Sequence, residues 1–489
     1  MKIETLIAHP AAGKTDAILS HVLENREMAV IASPSRILSE QSYSKFKRMG
    51  GRAVIIDSSH SLALKTVSAT LTKMVKDKVQ VIFITHAGLS NIENSKIFQD
   101  YSLYIDEVPT LVDFKEFPLK SNLSVVTKYC EPINEKTKEL QVLRLIDSER
   151  ETIENKMRDA FDGNDMIDNA LRELYEALID ERIHVMVKHT NGDISNGSKV
   201  FFLNDTKKRG WEDFRKVTIA CSNLHDTYTG KFLTYYHNCE FVESDLKSRL
   251  NFTEYKNTDR VKIHVLTDLY KWSRYKSNNN NAFEKMIDYV TSTCGDNFIY
   301  TVNKAREAYT DGIGEKIPYG AQGLNKYIHH TNVAVLFSFN PQKWEVEILQ
   351  GMANACDLPI NEFVNARHVS DYLEPAFQLC LRCNLRDNES RKEINLFVPD
   401  MILAEYIKKY LPDAEILTDN MISTEIERKV SKRGFVQIFK MNKDESNRFS
   451  AYKQRMKKKG KDLNPNDHES VEIVRTWIIK QRRFTDETP

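Results

Sequence analysis

The spacing of apolar and polar positions changes several times along the chain, and each change predicts a different element. Ile3–Ala8 is a short, largely apolar run suited to a buried strand. From Asp16 to Leu23 the apolar residues Ala17, Ile18 and Val22 fall at helical spacing. The runs "MAVIASPS", "RAVIID", "VQVIFITHA" and "SLYIDEVP" alternate with helical stretches as far as about residue 109. Strands separated by helix-length segments predict a parallel α/β sheet.

A different pattern fills residues 110–215. "DSERETIENKMRDAF" and "DMIDNALRELYEALID" read as charged amphipathic helices broken at Gly163, and "IHVMVKHTNGDISNGSKVFFL" reads as a hairpin around Asn191-Gly192. This stretch is an insertion, because "FRKVTIACSN" then returns to buried-strand composition. The text turns polar near 244–260, and "SNNNN" (Ser277 to Asn281) is a loop. "NFIYTVN", "VAVLFSFNP" and "INLFVPD" supply strands of a second α/β unit, and from about Lys440 the chain is polar and basic. The expected division is therefore 1–110, an α+β insertion at 111–215, 216–255 completing the first unit, a second unit at 256–439, and a basic extension at 440–489. No repeat of solenoid period is present.

Composition narrows the class of protein. A length of 489 residues predicts several domains, and a hydrophobic fraction of 41% can fill their cores. The formal charge is +1, so any surface for nucleic acid must be local. Seven scattered cysteines, an odd number, predict reduced thiols rather than a disulfide framework. With no signal-peptide pattern and no apolar run long enough for a bilayer, a soluble cytoplasmic protein is expected.

Two stretches carry chemistry. After the first strand, Ala8 and then Gly13-Lys14-Thr15 fit the phosphate-loop pattern, with Ala8 in place of its usual first glycine. Such a loop points backbone N–H groups at phosphates, here those around Ala12 and Gly13. It adds a lysine (Lys14) near the outer phosphates and a hydroxyl (Thr15) for Mg²⁺. "LYIDEVP" places Asp106 and Glu107 behind an apolar strand. The first acid suits the metal shell, and the second suits deprotonation of an attacking water. Together, in this order, they predict an ATPase that uses Mg²⁺.

Further motifs resemble those of superfamily-two helicases. "SPSRILSEQ" (Ser33 to Gln41) and "ITHAGL" (Ile84 to Leu89) are similar to the family's motifs Ia and Ib/Ic, which contact the nucleic-acid backbone. "IACSNLHDT" sits where motif III belongs, although Cys221-Ser222-Asn223 departs from the usual Ser-Ala-Thr. "YGAQGLNKY" resembles motif V through Gly323-Leu324-Asn325, and "FQLCLRCNLRD" resembles motif VI through Gln378, Arg382 and Arg386. The likeness covers residues 1–110 and roughly 216–400, and Asp-Glu-Val-Pro at motif II is similar to a divergent, phage-like or origin-binding-like branch.

The resemblance implies two RecA-like parallel-sheet domains with ATP in the cleft between them. It implies that Gln378, Gly323 and Asn325 touch nucleotide from the second domain, and that Arg382 and Arg386 stabilise transition-state charge. The spacing of four is expected to set both arginines on one helix face. Ser33, Arg36 and Thr85 are implied to face a nucleic-acid backbone. The implied function is an ATP-dependent motor on nucleic acid, DNA before RNA, acting as a helicase or translocase in replication or recombination. A packaging-type ATPase and an origin-binding or scaffolding protein are the alternatives.

Three weaker features remain. Cys380 and Cys383 have metal-like spacing but no second pair, so zinc is not expected. His86, His329 and His330 read as loop or strand-end residues, and Trp211, Tyr175, Phe201 and Phe202 as core or cap residues. Arg448–Lys461 carries seven Lys/Arg and no acids, with Phe449 and Tyr452 interleaved. That composition suits phosphate contacts from Lys457, Lys458 and Lys459 with stacking from the aromatics. Val471–Arg483 predicts an amphipathic helix.

Overall fold

The computed structural model describes residues 1–56, 67–90, 92, 95–117, 128–132, 140–162, 166–179, 183–188, 199–204, 210–272, 282–310, 312–318, 326–341, 343–355, 359–423, 435–439, 441–458, 460–463, 467 and 470–478. The chain divides into two compact units, residues 1–277 with 283–422 and residues 278–282 with 423–489.

The first unit opens with β1 (Lys2–Ile7), α1 (Lys14–Glu24), β2 (Ala29–Ser33), α2 (Arg36–Arg48), β3 (Ala53–Ile56), α3 (Val67–Lys76), β4 (Val81–Thr85) and β5 (Ser102–Asp106). It continues with β6 (Asp113–Phe117), β7 (Cys130–Pro132), β8 (Leu140–Leu145), α4 (Arg150–Asp162), α5 (Met166–Ile179), β9 (Ile183–Lys188) and β10 (Lys199–Asn204). Next come β11 (Lys216–Cys221), α6 (Tyr228–Tyr235) and β12 (Glu240–Glu243). The first sheet runs β12-β1-β11-β5-β2-β4-β3, every pair parallel. Its central strands β2, β4 and β5 are largely apolar because both faces are covered. In β2, Val30 and Ala32 enter one core cluster while Ala29 and Ile31 enter the cluster on the opposite face. Glu27, just before β2, is buried and accepts from Ser102 Oγ at 2.6 Å and Tyr104 Oη at 2.7 Å, with Arg215 as its ion-pair partner.

The insertion departs after β5 and returns at β11, which lie side by side in the sheet with Ala220 opposite Asp106. It forms an antiparallel sheet, β6-β10-β9-β8-β7, with α4 and α5 beside it. The pairing of β9 with β10 confirms the expected hairpin, whose turn at Asn191-Gly192 lies outside the described residues. Strands β6 to β8 were not evident from the residue pattern. Trp211 and Tyr175 are each 1% exposed and belong to cores.

The second parallel sheet uses β13 (Val261–Val265), β14 (Ile299–Val302), β15 (Glu315–Lys316), β16 (Asn332–Leu336), β17 (Ile394–Val398) and β18 (Glu415–Leu417), in the order β15-β14-β16-β17-β13-β18. Helices α7 (Ala282–Cys294), α8 (Lys343–Ala355), α9 (Ile360–His368), α10 (Glu374–Cys380) and α11 (Met401–Tyr410) belong to the same part of the chain. Two RecA-like parallel-sheet domains with an α+β insertion are thus the fold. No described helix is long and apolar enough to cross a membrane.

The second unit holds α12 (Lys443–Lys458) and a helix over 470–478, with Phe435, Met441, Phe449, Leu463, Val474 and Ile478 as its core. Phe449 is 5% exposed and Tyr452 stacks on Trp477 at 5.0 Å, so Phe449 is a core residue and is not offered to a base as its basic surroundings suggested. Residues 445, 449, 452 and 456 form the inward stripe of α12. Lys457 and Lys458 are exposed at its end, and Lys459 lies outside the described residues.

Candidate active site

Parallel sheets present ligand-binding loops at the C-terminal ends of their strands. Here β1, β11 and β5 end side by side, and β11 tethers both neighbours. Ala8 N donates to Cys221 O at 3.0 Å, and Glu107 N donates to Ala220 O at 2.8 Å. The phosphate loop and the acid pair are thereby fixed on either side of one strand end.

Within the loop, Ala11 and Gly13 take left-handed backbone angles, φ 66° and 86°. Gly13 caps α1, and a side chain there would also strike the Asn251 amide, 2.6 Å from the position of an added Cβ. Lys14 is 6% exposed and folds back on the loop, donating to Ala8 O at 2.8 Å and His9 O at 3.1 Å. Thr15 Oγ1 donates to Asp106 Oδ2 at 2.8 Å, so the expected metal-holding pair is in contact. Ala12 is buried beneath the loop with its N–H on His9 O at 3.2 Å.

Burial, reinforced by Glu107, pushes the Asp106 carboxyl up to about 6. Glu107 itself sits at φ 65°, a left-handed conformation uncommon for a side chain of this size. Backbone strain of this kind persists where the surroundings over-determine it. Those surroundings are the Ala220 carbonyl behind it and Gln378 Nε2, which donates to Glu107 Oε2 at 3.1 Å. His86, within the stretch that resembles motif Ib/Ic, has its Nε2 3.0 Å from Asp106 O, and burial lowers its pKa to about 4. The ring is therefore neutral at ordinary pH.

A cavity of about 480 Å³ lies over these groups, lined from the first domain by Gly13, Lys14, Thr15, Asp106 and Glu107 and from the second domain by Gln378, Arg382 and Arg386. Residues of α2, including Gln41, Ser42 and Lys45, and Asn251 also line it. Gln41 ends the stretch that resembles motif Ia, and the other three lie outside every motif. Arg382 is 6% exposed, and its Nη1 is buried with no partner among the described residues. Burial, and then Arg386 beside it, lower its pKa to about 9. Arg386 donates from Nε to Leu381 O at 2.9 Å, and burial lowers its pKa too.

The two arginines do not share a helix face as expected. Helix α10 ends at Cys380, Arg382 follows in a turn, and Asn384–Arg386 is a short 3₁₀ turn. The cause is tertiary. Buried Arg260 donates to Asn384 Oδ1 at 2.9 Å, Asn384 O at 3.2 Å and Asp387 O at 3.1 Å, holding the segment out of the helix. Both side chains reach the cavity nonetheless. Cys380 and Cys383 are buried, with Cys383 Sγ donating to Cys380 O at 3.2 Å.

At the other strand ends, Ser33 is fully buried, which corrects its expected exposure to a ligand. Arg36, at the start of α2, is exposed there instead. Thr85 is half-buried and accepts from Gly88 N at 3.1 Å. Gly323 and Asn325 lie outside the described residues.

The donor set fits a nucleotide with its metal ion. A lysine and two desolvated arginines, one with an N–H that has no partner among the described residues, suit an anion, and a hydroxyl–carboxylate pair suits a hard cation. The fold and site define a two-domain protein with a phosphate-loop nucleotide site. Residues 5–129 match the DEAD/DEAH box helicase family. Among solved structures it is similar to S. tokodaii Xpd4, with 10% identity over 85% of this chain and 96% of that one and a TM-score of 0.49. It is also similar to S. cerevisiae Dbp5 bound to RNA and ADP BeF3, with 12% identity over 88% of each chain and a TM-score of 0.36. No curated protein matches the chain.

Proposed function

We propose that the chain hydrolyses ATP in this cavity and couples each turnover to movement along nucleic acid, with DNA as the substrate, as a helicase or translocase of replication or recombination. The observation that carries the reading is the convergence of Lys14, Thr15, Asp106 and Glu107 with Gln378, Arg382 and Arg386 on one cavity.

In this reading Lys14 leaves the Ala8 and His9 carbonyls to meet the outer phosphates, and the Gly13 N–H joins it. Thr15 and Asp106 would hold Mg²⁺, which when bound neutralises charge on the phosphate oxygens. Glu107 takes the proton of the attacking water. Arg382 and Arg386, permanently charged and matched to phosphate oxygens, meet the charge that develops on the transferred group. Because they come from the second domain, hydrolysis requires the two domains to be together. Gly323 and Asn325 complete the nucleotide contacts, and Arg36 and Thr85 face the nucleic-acid backbone.

Steady-state ATPase assays with single-stranded DNA, duplex DNA and RNA, beside strand displacement, test the proposal. DNA is expected to raise kcat more than RNA does. Stimulation by RNA alone would move the substrate to RNA, and no stimulation by either would overturn the motor reading in favour of a packaging-type or scaffolding role.

The exposed end of α12 supplies phosphate contacts through Lys457 and Lys458, with Lys459 next in the sequence. Each contact contributes about 0.9 to the slope of log affinity against log salt on duplex DNA. Lys457→Ala with Lys458→Ala is therefore expected to reduce that slope by nearly 2. Filter binding across a salt series, with circular dichroism to confirm the fold, checks it. An unchanged slope would make this a solvated helix end.

A further inference from the structure

Helix α10 presents Gln378 and, one turn earlier, Glu374, a spacing that puts both on one face. One π-helical turn, Val369–Leu373, joins α9 to α10 immediately before Glu374. Such turns shift the helix register locally and concentrate at functional sites.

Glu374 is 6% exposed, and its carboxylate is fully engaged. Oε2 accepts from Tyr406 Oη at 2.7 Å. Oε1 accepts from the Ser222 hydroxyl and from Gln378 Nε2, the latter at 3.1 Å. Ser222 follows β11 of the first sheet, so this carboxylate joins the two RecA-like domains. Beside it Asn223 Nδ2 donates to Tyr406 Oη at 3.0 Å, adding a second link of the same kind. Burying a carboxylate is costly unless hydrogen bonds compensate, and here three donors from two domains do so.

The Gln378 amide nitrogen has three acceptors within reach: Glu107 Oε2 at 3.1 Å, Glu374 Oε1 at 3.1 Å and Ser222 Oγ at 3.3 Å. It carries two protons, and Ser222 already directs its own proton to Glu374. The carboxylates are the charged and nearer acceptors, so the two amide protons go to them. With the amide reversed, its oxygen would face both acids and the arrangement would repel, so the flanking carboxylates settle which amide atom points where.

We infer that Glu374 is a positioning residue of the ATPase site: it fixes the Gln378 amide, which holds the Glu107 carboxylate in place, and it is itself complete only when Ser222 of the first domain docks against it. The inference rests on the proposed role of Glu107 in hydrolysis. Motif III then acts through two polar contacts, Ser222 to Glu374 and Asn223 to Tyr406, which explains why Cys221-Ser222-Asn223 can replace the more usual residues. Domain closure and alignment of the base become one event.

The test is Glu374→Gln in the full chain, measured at saturating nucleic acid. The carboxamide keeps the side-chain volume but offers one acceptor atom where two are used. ATP affinity and KM are expected to stay near the parent values while kcat falls by about 10- to 100-fold, the scale of a misplaced catalytic group. Added to Gln378→Ala, the substitution is expected to cost nothing further, because it acts through that amide. Additive losses, or a normal kcat beside an inactive Glu107→Gln enzyme, would overturn the role of Glu374 alone. A fully active Glu107→Gln would overturn the hydrolysis reading and this inference with it. Should Glu374→Gln not fold, Ser222→Ala in the same double-mutant cycle reads the same coupling from the other domain.

Discussion

Glu107→Gln is expected to bind ATP as the parent does and to hydrolyse it about 10²- to 10⁴-fold more slowly, the usual contribution of a positioned general base. The substitution keeps the shape of the side chain and leaves Lys14, Thr15 and Asp106 untouched, so the phosphate loop still offers its donors. What disappears is the group able to accept a proton from water. The backbone at φ 65° and the N–H on Ala220 O fix the residue, so the carboxamide enters the same place. One contact weakens, because Gln378 Nε2 then donates to a neutral amide oxygen instead of a carboxylate. Nucleotide titration gives the affinity and single-turnover hydrolysis gives the rate. Near-parent stimulated turnover would remove Glu107 from the chemistry.

Elements buried on both faces were the most legible. Strands β2, β4 and β5 lie inside a parallel sheet, so their sequences are nearly continuous apolar runs, and β1 and β11 beside them are largely apolar. The residues that follow them, Gly13-Lys14-Thr15 and Asp106-Glu107, meet in one cavity because parallel topology places all these strand ends together. Strand β13 escaped notice because Lys262 and His264 interrupt its apolar pattern. His264 is nonetheless buried, with its ring nitrogens against Tyr289 Oη and Asn395 Oδ1. The insertion strands β6 to β8 are short or lie in a sheet whose pairing joins distant segments, and local spacing does not encode that pairing.

Two further misreadings have tertiary causes. The spacing of Arg382 and Arg386 is helical, and Arg260, more than a hundred residues earlier in the chain, overrides it by taking the carbonyls of Asn384 and Asp387. Composition around Phe449 is basic, yet the stripe at 445, 449, 452 and 456 decides which way the aromatic points. Glu374 illustrates the opposite case. Its position one turn before Gln378 was visible, but only the docking of Ser222 gives it a consequence.

Arg386→Ala is expected to keep ATP binding by the first domain and to lose hydrolysis by roughly 10³-fold, the lower end for an arginine that completes a phosphoryl-transfer site from another domain. Arg382→Ala is expected to behave in the same way, with one informative difference. Arg382 is buried with Nη1 unpartnered among the described residues, and burial together with Arg386 lowers its pKa to about 9, so the apoprotein carries it at a cost. Removing a buried, incompletely paired charge relieves that cost. Thermal stability without nucleotide should therefore hold or rise in Arg382→Ala even as turnover falls. Arg386, whose Nε holds Leu381 O, should show a small loss of stability beside its loss of rate. A cation kept at the expense of stability and required for turnover is one placed for the transition state rather than for the fold. Melting curves with and without ATP, set beside single-turnover rates, separate the two contributions. Parallel loss of ATP affinity and apoprotein stability in both variants would make the pair structural and remove motif VI from the chemistry.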